Sequence, residues 1–229
     1  MENNTIKIDV VSDVACPWCY VGKRRFEAAL KQWKGAPIEV NWHPFQLDPS
    51  MRSEGMDRDT YLTSKFGSLD RVQDSMNHLI KEGETVGIAF DFGDNWLAVN
   101  TLKLHQLLHV AREEGFGNEM KERLLAAYFE KTQHLNKPET LYTIAKDFGW
   151  DSEKVTAILA DQKIAEAVKA EIEYYKKRGV SGVPFFIVND KYGISGAQSS
   201  EVFLEAFNSV SPIEVVSEGE SCDPITGEC

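Results

Sequence analysis

The sequence predicts an α/β fold in which a four-stranded mixed sheet, built from both ends of the chain, carries a large helical insertion. Three observations support this prediction. Residues 6–45 have a strand, helix, strand pattern; residues 57–178 have almost continuous helical spacing; and residues 183–208 have a strand, strand, helix pattern. Alternating or β-branched runs indicate strands, and apolar residues three or four positions apart indicate helices.

The N-terminal unit contains two strands that we expect to be parallel. Residues 6–11 are rich in β-branched side chains, residues 22–33 place Phe26, Ala29 and Trp33 at helical spacing, and residues 38–45 alternate apolar with polar. A helical crossover of this length joins parallel neighbours.

The insertion is predicted to be helical, with a loop or short strand at residues 87–93. Asn100, Asn118 and Asp151 stand where N-caps are expected, and Pro138 suits a first helical position. The predicted helices cover residues 58–66, 70–86, 100–114, 118–132, 138–148, 151–160 and 163–178.

The C-terminal unit is predicted to be an antiparallel hairpin, residues 183–188 and 192–195, followed by a helix over 200–208. This order predicts three parts. Residues 1–55 and 179–208 form one domain, residues 56–178 form the α-helical insertion, and residues 209–229 form an acidic, loosely attached tail that contains two cysteines.

Composition argues against two classes of partner. The net charge of −11 over 229 residues opposes binding to nucleic acid and to anionic membrane surfaces. We expect no membrane span, because the chain has no run of about 18 apolar residues. The first residues lack the basic and apolar regions of a secretory signal, which predicts a cytoplasmic protein, although a chain whose leader had been removed would begin in the same way.

The principal chemical motif is Cys16-Pro17-Trp18-Cys19, between the first strand and the first helix. A thiolate is stabilised at a helix N-terminus, so Cys16 is the predicted nucleophile. Cys19 lies one helical turn further on and is the predicted resolving thiol, which would attack a mixed disulfide on Cys16. Two ordinary cysteines, or half of a zinc site, are the alternatives, and the flanking strand and helix favour redox chemistry.

Val183-Pro184 begins a core strand after a glycine. Proline is tolerated at the first residue of a strand and can follow a cis peptide bond. Beside the two thiols, such a bond would turn the backbone of Val183 outward as an edge on which an extended substrate could dock. Pro17, Trp18, Val183 and Pro184 are therefore the predicted substrate-binding residues.

Four motifs in order give the chain a resemblance to a known family: residues 13–20 (DVACPWCY), 42–49 (WHPFQLDP), 182–186 (GVPFF) and 195–198 (SGAQ). The chain resembles the DsbA-like branch of the thioredoxin superfamily, and the FrnE-like cytosolic dithiol oxidoreductases most closely. The resemblance implies a thioredoxin fold with a helical insertion, a cis proline at Pro184, and disulfide oxidation, reduction or isomerisation on protein or small thiol substrates. We expect no organic cofactor, with glutathione as a candidate substrate.

Two other functions stay open. Kappa-class glutathione transferases and 2-hydroxychromene-2-carboxylate isomerases resemble this chain in their inserted helices, but use a serine near the position of Cys16. The second alternative is a non-catalytic redox-sensing or client-binding module. Trp18 stands where DsbA-type enzymes carry a histidine, and since an indole cannot supply a positive charge, we expect a centre less oxidising than DsbA.

The tail contains the remaining cysteines, Cys222 and Cys229. Three interpretations compete for this pair: an auxiliary redox pair that exchanges with Cys16 and Cys19, a structural disulfide, or a metal site. The sequence leaves the oligomeric state open.

Other titratable residues give weaker signals. His105 and His109 share a helix face, but their leucine neighbours favour a packing role over a metal site. Asp9, Asp13 and Glu27 are all candidates for the group that accepts the proton of Cys19.

Overall fold

The computed structural model describes residues 5–67 and 69–210. The strands of the described part are β1 (Ile6–Ser12), β2 (Ile38–Pro44), β3 (Met56–Asp57), β4 (Leu97–Ala98), β5 (Phe185–Val188) and β6 (Tyr192–Ser195). The helices there are α1 (Pro17–Gln32), α2 (Arg58–Phe66), α3 (Leu69–Glu84), α4 (Leu102–Glu113), α5 (Gly117–Phe129), α6 (Pro138–Lys146), α7 (Ser152–Ala160), α8 (Gln162–Lys177) and α9 (Ser200–Val210).

The main sheet has the strand order β2, β1, β5, β6. β1 is parallel to β2, with Ile6 opposite Ile38, and antiparallel to β5, with Ile8 opposite Val188. β5 and β6 form an antiparallel hairpin. These pairings confirm the predicted four-stranded mixed sheet, in which β1 is a central strand and β5 returns to it after the helical insertion.

A second, two-stranded sheet within the insertion was not predicted. β3 pairs with β4 through Met56 opposite Ala98 and Asp57 opposite Leu97. Residues 87–93, for which the sequence suggested a loop or short strand, are irregular, and the Asp91 N–H donates to the Phe129 carbonyl at 2.7 Å. Strands of two residues are too short to produce an alternating pattern.

Two of the predicted N-caps are wrong. The N-cap of α4 is Thr101, although the Asn100 side chain accepts from the Leu102 N–H at 3.0 Å. α5 begins at Gly117 and includes Asn118, because the Phe116 carbonyl already accepts from the Met120 N–H at 3.0 Å and makes Phe116 the N-cap. The other two predictions are confirmed: Asp151 caps α7 and Pro138 is in the first turn of α6.

Helix α1 contributes side chains to two hydrophobic clusters. Phe26 packs with Phe186, Phe203 and Phe207 between α1, the sheet and α9. Earlier in the same helix, Tyr20 belongs to the larger cluster formed by the insertion. Helix α1, which begins beside Cys16, therefore lies between the sheet and the insertion.

Polar contacts between α1 and α5 reinforce this packing. Lys23 is 1% exposed, and its Nζ lies 2.8 Å from Glu122. The Tyr20 hydroxyl donates to Glu130 at 2.7 Å. Both contacts join α5 of the insertion to the helix that carries the cysteines.

Candidate active site

Cys16 is the N-cap residue of α1. Its backbone is extended, with φ −97° and ψ 111°, and Pro17 follows in the first turn of the helix. The Cys19 N–H donates to the Cys16 carbonyl at 3.0 Å, which places Cys19 one turn along the helix. The first N–H groups of a helix lack carbonyl partners within it, so its N-terminus favours a negatively charged atom.

The Cys16 sulfur faces the loop that precedes β5. Its thiol donates to the Val183 carbonyl at 3.5 Å, and the peptide bond between Val183 and Pro184 is cis. The Gly196 N–H donates to the Pro184 carbonyl at 2.9 Å and joins this loop to the end of β6. The fold thus brings together two motifs that are far apart in the sequence.

Gly22 allows α1 to approach this loop closely. A Cβ atom at residue 22 would lie 2.9 Å from Pro184 Cγ and 3.4 Å from the Ala197 Cα and Cβ atoms. The first distance is shorter than van der Waals contact, so a larger residue would displace the Pro184 ring. The position of Pro184 beside the cysteines therefore depends on a glycine in the middle of a helix.

The two cysteines are free thiols with different surroundings. Cys16 is 4% exposed and Cys19 1% exposed. Burial raises the pKa of Cys19 well above its usual range, and the hydrogen bond and charge of Cys16 raise it further. The charge of Lys121 and the backbone of Asp13 act in the opposite direction. Cys19 consequently needs a proton acceptor before it can attack as a thiolate.

Asp13 is an acidic residue next to the cysteine pair, and its carbonyl accepts from the Cys16 N–H at 3.3 Å. Its carboxylate is 3.2 Å from Nε2 of His105 and accepts from the Leu47 N–H at 2.8 Å and the Ala15 N–H at 3.3 Å. Burial opposes ionisation of Asp13, but the contacts with His105 and Leu47 and the charge of Lys121 outweigh it and lower the pKa of this carboxyl. Asp13 therefore stays a carboxylate and is a poor proton acceptor.

Lys121 is the positively charged side chain that acts to lower the pKa of Cys19. It projects from α5 and is 1% exposed. Burial lowers the pKa of Lys121, although the charges of Cys19, Asp13 and Cys16 act to raise it. A lysine with a lowered pKa can exist as a neutral amine, and a neutral amine accepts protons.

An apolar cavity of about 530 Å³ lies on the Cys16 side of the pair. Cys16, Pro17, Trp18 and Val183 form one part of its wall. The rest comes mainly from the insertion and includes Tyr61, Leu62, Met76, Leu79, Phe92, Trp96 and Phe129. Its volume and lining are typical of a site for a small molecule.

A second, polar cavity of about 280 Å³ does not include either cysteine in its wall, but both Lys121 and His105 line it. Arg112, Glu119 and Glu171 are the other acidic or basic side chains on its wall, and His43 and His109 line it as well. Burial opposes ionisation of Glu171, yet its hydrogen bonds with His43 and Arg112 lower its pKa to about 2. Burial likewise opposes a charge on His43, and its bonds to Asp9 and Glu171 outweigh this and raise its pKa.

The structure brings together most of the residues predicted for the site. Cys16, Pro17, Trp18 and Val183 line the apolar cavity, with Pro184 adjacent. Cys222 and Cys229, and the tail that was predicted to be loosely attached, lie outside the described residues.

Of the three acidic candidates, Asp13 contacts the cysteine pair through its backbone, since its carbonyl accepts from the Cys16 N–H at 3.3 Å. Asp9 is 3.0 Å from His43, and Glu27 is 2.5 Å from Lys23. Among the described residues no group of three histidine, cysteine or acidic side chains is placed to hold a metal ion.

Sequence reasoning missed three residues of the site: His105, Lys121 and Gly22. His105 was assigned a packing role, and it is indeed buried, but it also contacts Asp13. Lys121 occupies an inward position of α5 beside Met120 and Leu124, which the helical spacing could have revealed. A glycine within a helix is unfavourable and so indicates a packing constraint, which is the signal that Gly22 offered.

A CxxC pair at the start of a helix beside a cis proline, on a four-stranded mixed sheet, defines a thioredoxin-like protein. Residues 7–208 match the model of the DSBA-like thioredoxin domain family. The chain therefore belongs to that family of thiol-disulfide oxidoreductases, as its motifs indicated. Within residues 5–67 and 69–210, no helix has the length and hydropathy needed to cross a membrane.

Known proteins resemble most of the chain. A probable DsbA oxidoreductase of Streptomyces coelicolor is 34% identical, with a TM-score of 0.83 over 96% of this chain and 97% of that one. The uncharacterized protein YwbO of Bacillus subtilis is 28% identical over 89% of this chain and 96% of its own length. The cytosolic disulfide reductase DsbM of Pseudomonas aeruginosa, solved with GSH, shares the fold at 15% identity and a TM-score of 0.63, over 89% of this chain and all of DsbM.

Proposed function

We propose that this protein is a FrnE-like, cytoplasmic dithiol oxidoreductase that exchanges disulfides through Cys16 and Cys19. The observation that carries the proposal is the position of the Cys16 sulfur, at the N-terminus of α1 and 3.5 Å from the Val183 carbonyl beside the cis proline. Family membership supports the same chemistry. Disulfide isomerisation is a further part of this proposal.

In the reducing direction, the Cys16 thiolate attacks one sulfur of a substrate disulfide. The substrate bond breaks, one half leaves as a thiolate that takes up a proton, and the other half stays on Cys16. Cys19 then loses its proton, attacks Cys16 and releases the second half as a thiol. Two electrons pass to the substrate, and the protein is left with a disulfide that an external dithiol or glutathione reduces.

Lys121 is the proposed proton acceptor for Cys19. Its charge favours the Cys19 thiolate, and its lowered pKa makes a neutral amine available. The polar cavity behind Lys121 and His105 gives the proton a route to solvent. Asp13 acts by position, because its carboxylate fixes His105 and the backbone beside both cysteines.

The test is the reduction of bis(2-hydroxyethyl) disulfide by the reduced protein, followed over one turnover by intact-mass spectrometry. We expect wild type to end as an internal disulfide, Cys19→Ser to stop as a mixed disulfide on Cys16, and Cys16→Ser to be inactive. Cys222→Ser is the control for participation of the tail. Full activity of Cys16→Ser would overturn the mechanism.

The same variants separate this proposal from a glutathione transferase or isomerase of the kappa-class or 2-hydroxychromene-2-carboxylate isomerase type. The fold of the 2-hydroxychromene-2-carboxylate isomerase is similar, with 13% identity and a TM-score of 0.67. A transferase needs one residue to orient glutathione and no resolving thiol. If the protein were such a transferase, Cys19→Ser would retain its turnover with glutathione. If it is a dithiol oxidoreductase, Cys19→Ser loses multiple-turnover disulfide reduction.

Equilibration of wild type with glutathione buffers tests the redox poise. Because Trp18 supplies no positive charge, we expect a reduction potential below the DsbA value of about −120 mV. A potential at the DsbA value would contradict this part of the proposal.

A further inference from the structure

The cavity beside Cys16 has the size and the apolar wall that suit an apolar ligand. Its volume of about 530 Å³ falls within the range of sites that hold drug-sized ligands. Most of the insertion side chains on its wall are aliphatic or aromatic, including Leu62, Met76, Leu79, Phe92, Trp96 and Phe129. A substrate bound through Cys16 would place the group next to its sulfur among these side chains.

The cavity offers few charged partners. Lys65 lies on its wall, but the ammonium group is already 3.4 Å from Asp48 and stands over the Tyr61 ring at 5.5 Å. His78 packs against Trp18, with ring centroids 5.6 Å apart. Glutathione disulfide carries four carboxylates and two ammonium groups, which would lose water here without gaining enough partners.

The low exposure of Cys16 limits the size of the substrate. Cys16 is 4% exposed and lines the cavity, so a disulfide that occupies the cavity lies against its sulfur. A small molecule fits this space as a whole, whereas a folded protein can place only a protruding segment in it. Transfer of an apolar group from water into such a wall is favourable, and each added CH₂ group increases binding severalfold.

We propose that the preferred substrates are low-molecular-weight disulfides that carry an aromatic or branched apolar group, ahead of glutathione disulfide. This inference rests on the proposed function. The reduced Cys16 and Cys19 pair supplies both electrons for one substrate disulfide, so one turnover needs no other reductant. The products are two thiols and the Cys16–Cys19 disulfide.

The experiment compares single-turnover rates for bis(2-phenylethyl) disulfide, bis(2-hydroxyethyl) disulfide and glutathione disulfide. Each rate constant is divided by the rate constant for the same disulfide with dithiothreitol, which removes intrinsic reactivity. We expect the normalised rate for the phenylethyl compound to exceed the other two at least about tenfold. A ratio near one, or a higher rate for glutathione disulfide, would overturn the inference.

Filling the cavity provides the second test. Ser75 is half-buried on the cavity wall, so Ser75→Trp should reduce the phenylethyl to hydroxyethyl ratio at least about fivefold. Gln73→Trp, at an exposed position of the same helix and away from the cavity, should leave the ratio unchanged. An unchanged ratio in Ser75→Trp would contradict the inference.

Two further outcomes separate the possible failures. If wild type and Cys16→Ser react with all three disulfides at the same rates, the proposed function itself fails. If it reduces bis(2-hydroxyethyl) disulfide through Cys16 without an apolar preference, only the substrate class is wrong. A higher normalised rate for a disulfide in an unfolded polypeptide would assign the cavity to a peptide side chain and overturn the small-molecule inference.

Discussion

The two sides of the cysteine pair differ sharply in chemistry. Cys16 lines an apolar cavity, whereas Cys19 is buried within reach of the Lys121 charge and the Asp13 backbone, and Lys121 lines a separate polar cavity. Exchange with a substrate requires space and a thiolate, and resolution requires that a buried proton leave. Under the proposed mechanism, the fold would separate substrate binding at Cys16 from proton transfer at Cys19.

Removing the Asp13 carboxylate should produce the largest effect. Asp13→Ala leaves His105, the Leu47 N–H and the Ala15 N–H without their acceptor and removes one of the charges that act on Lys121. We expect a loss of about 3 to 5 kcal/mol in the free energy of unfolding, measured by urea denaturation.

Leu47→Ala is the matched control for Asp13→Ala. The variant keeps the Leu47 backbone N–H, which donates to the Asp13 carboxylate. It removes an apolar side chain on the wall of the apolar cavity that is 41% exposed. We expect a change within about 1 kcal/mol. Equal losses in the two variants would contradict the contrast between the two sides.

Lys121→Met should slow the resolution step about 100-fold near neutral pH, because the proton acceptor and the charge that favours the Cys19 thiolate are both lost. Acid quenching and intact-mass spectrometry would show the mixed disulfide accumulating. In wild type the step should accelerate as pH rises, since the pKa of Cys19 is raised, and the variant should need a still higher pH for the same rate.

Lys131→Met, at an exposed position, controls for the loss of a positive charge. If the resolution step of Lys121→Met had the same pH profile as that of wild type, Lys121 would have only a structural role.

Gly22→Ala tests the packing that holds Pro184 beside the cysteines. The new Cβ would meet Pro184 Cγ at 2.9 Å, so we expect a loss of about 1 to 3 kcal/mol in unfolding free energy and a slower attack by Cys16. Gly182→Ala is the control, because a Cβ there has no neighbour within 4 Å. Equal stability of the two variants would contradict the proposed close approach.

The smallest effect concerns the wall of the polar cavity. The raised pKa of His43 means that its contribution to stability is present below its ordinary value of 6.5 and is lost as pH rises through the raised value. The lowered pKa of Glu171 makes its contribution present above 4.5 and lost as pH falls towards about 2.

His43→Gln should therefore lower the thermal midpoint most between about pH 4.5 and pH 6.5, by an amount that corresponds to about 1 kcal/mol. The difference from wild type should shrink as pH rises through the raised pKa of His43. A difference that is constant across this range would contradict the assignment.

Sequence patterns predicted the sheet and most of the helices because each element leaves a local periodic signal. Residues 192–195 and 58–66 match the observed β6 and α2. The pair Met56–Asp57 and Leu97–Ala98 left no signal, because two residues cannot establish an alternation. Helix starts at Thr101 and Phe116 were missed, since neither side chain caps its helix.

The site was predictable where its residues are neighbours in sequence. Cys16 and Cys19 are three residues apart, and Val183-Pro184 is marked by its proline. His105 and Lys121 come from the insertion, and their relation to the cysteines depends on how α4 and α5 pack. A lysine in a helix is usually solvent-exposed, so only the fold reveals that Lys121 is 1% exposed.

The position of β1 between β2 and β5 determines when the site can form during synthesis. β2 follows β1 after one helix, but β5 reaches β1 only after the whole insertion has been made. While the chain emerges, one edge of β1 stays unpaired and Cys16 lacks its contact with Val183. The nascent chain thus contains the motif of an oxidoreductase well before it contains the active site, and the last strands to leave the ribosome complete it.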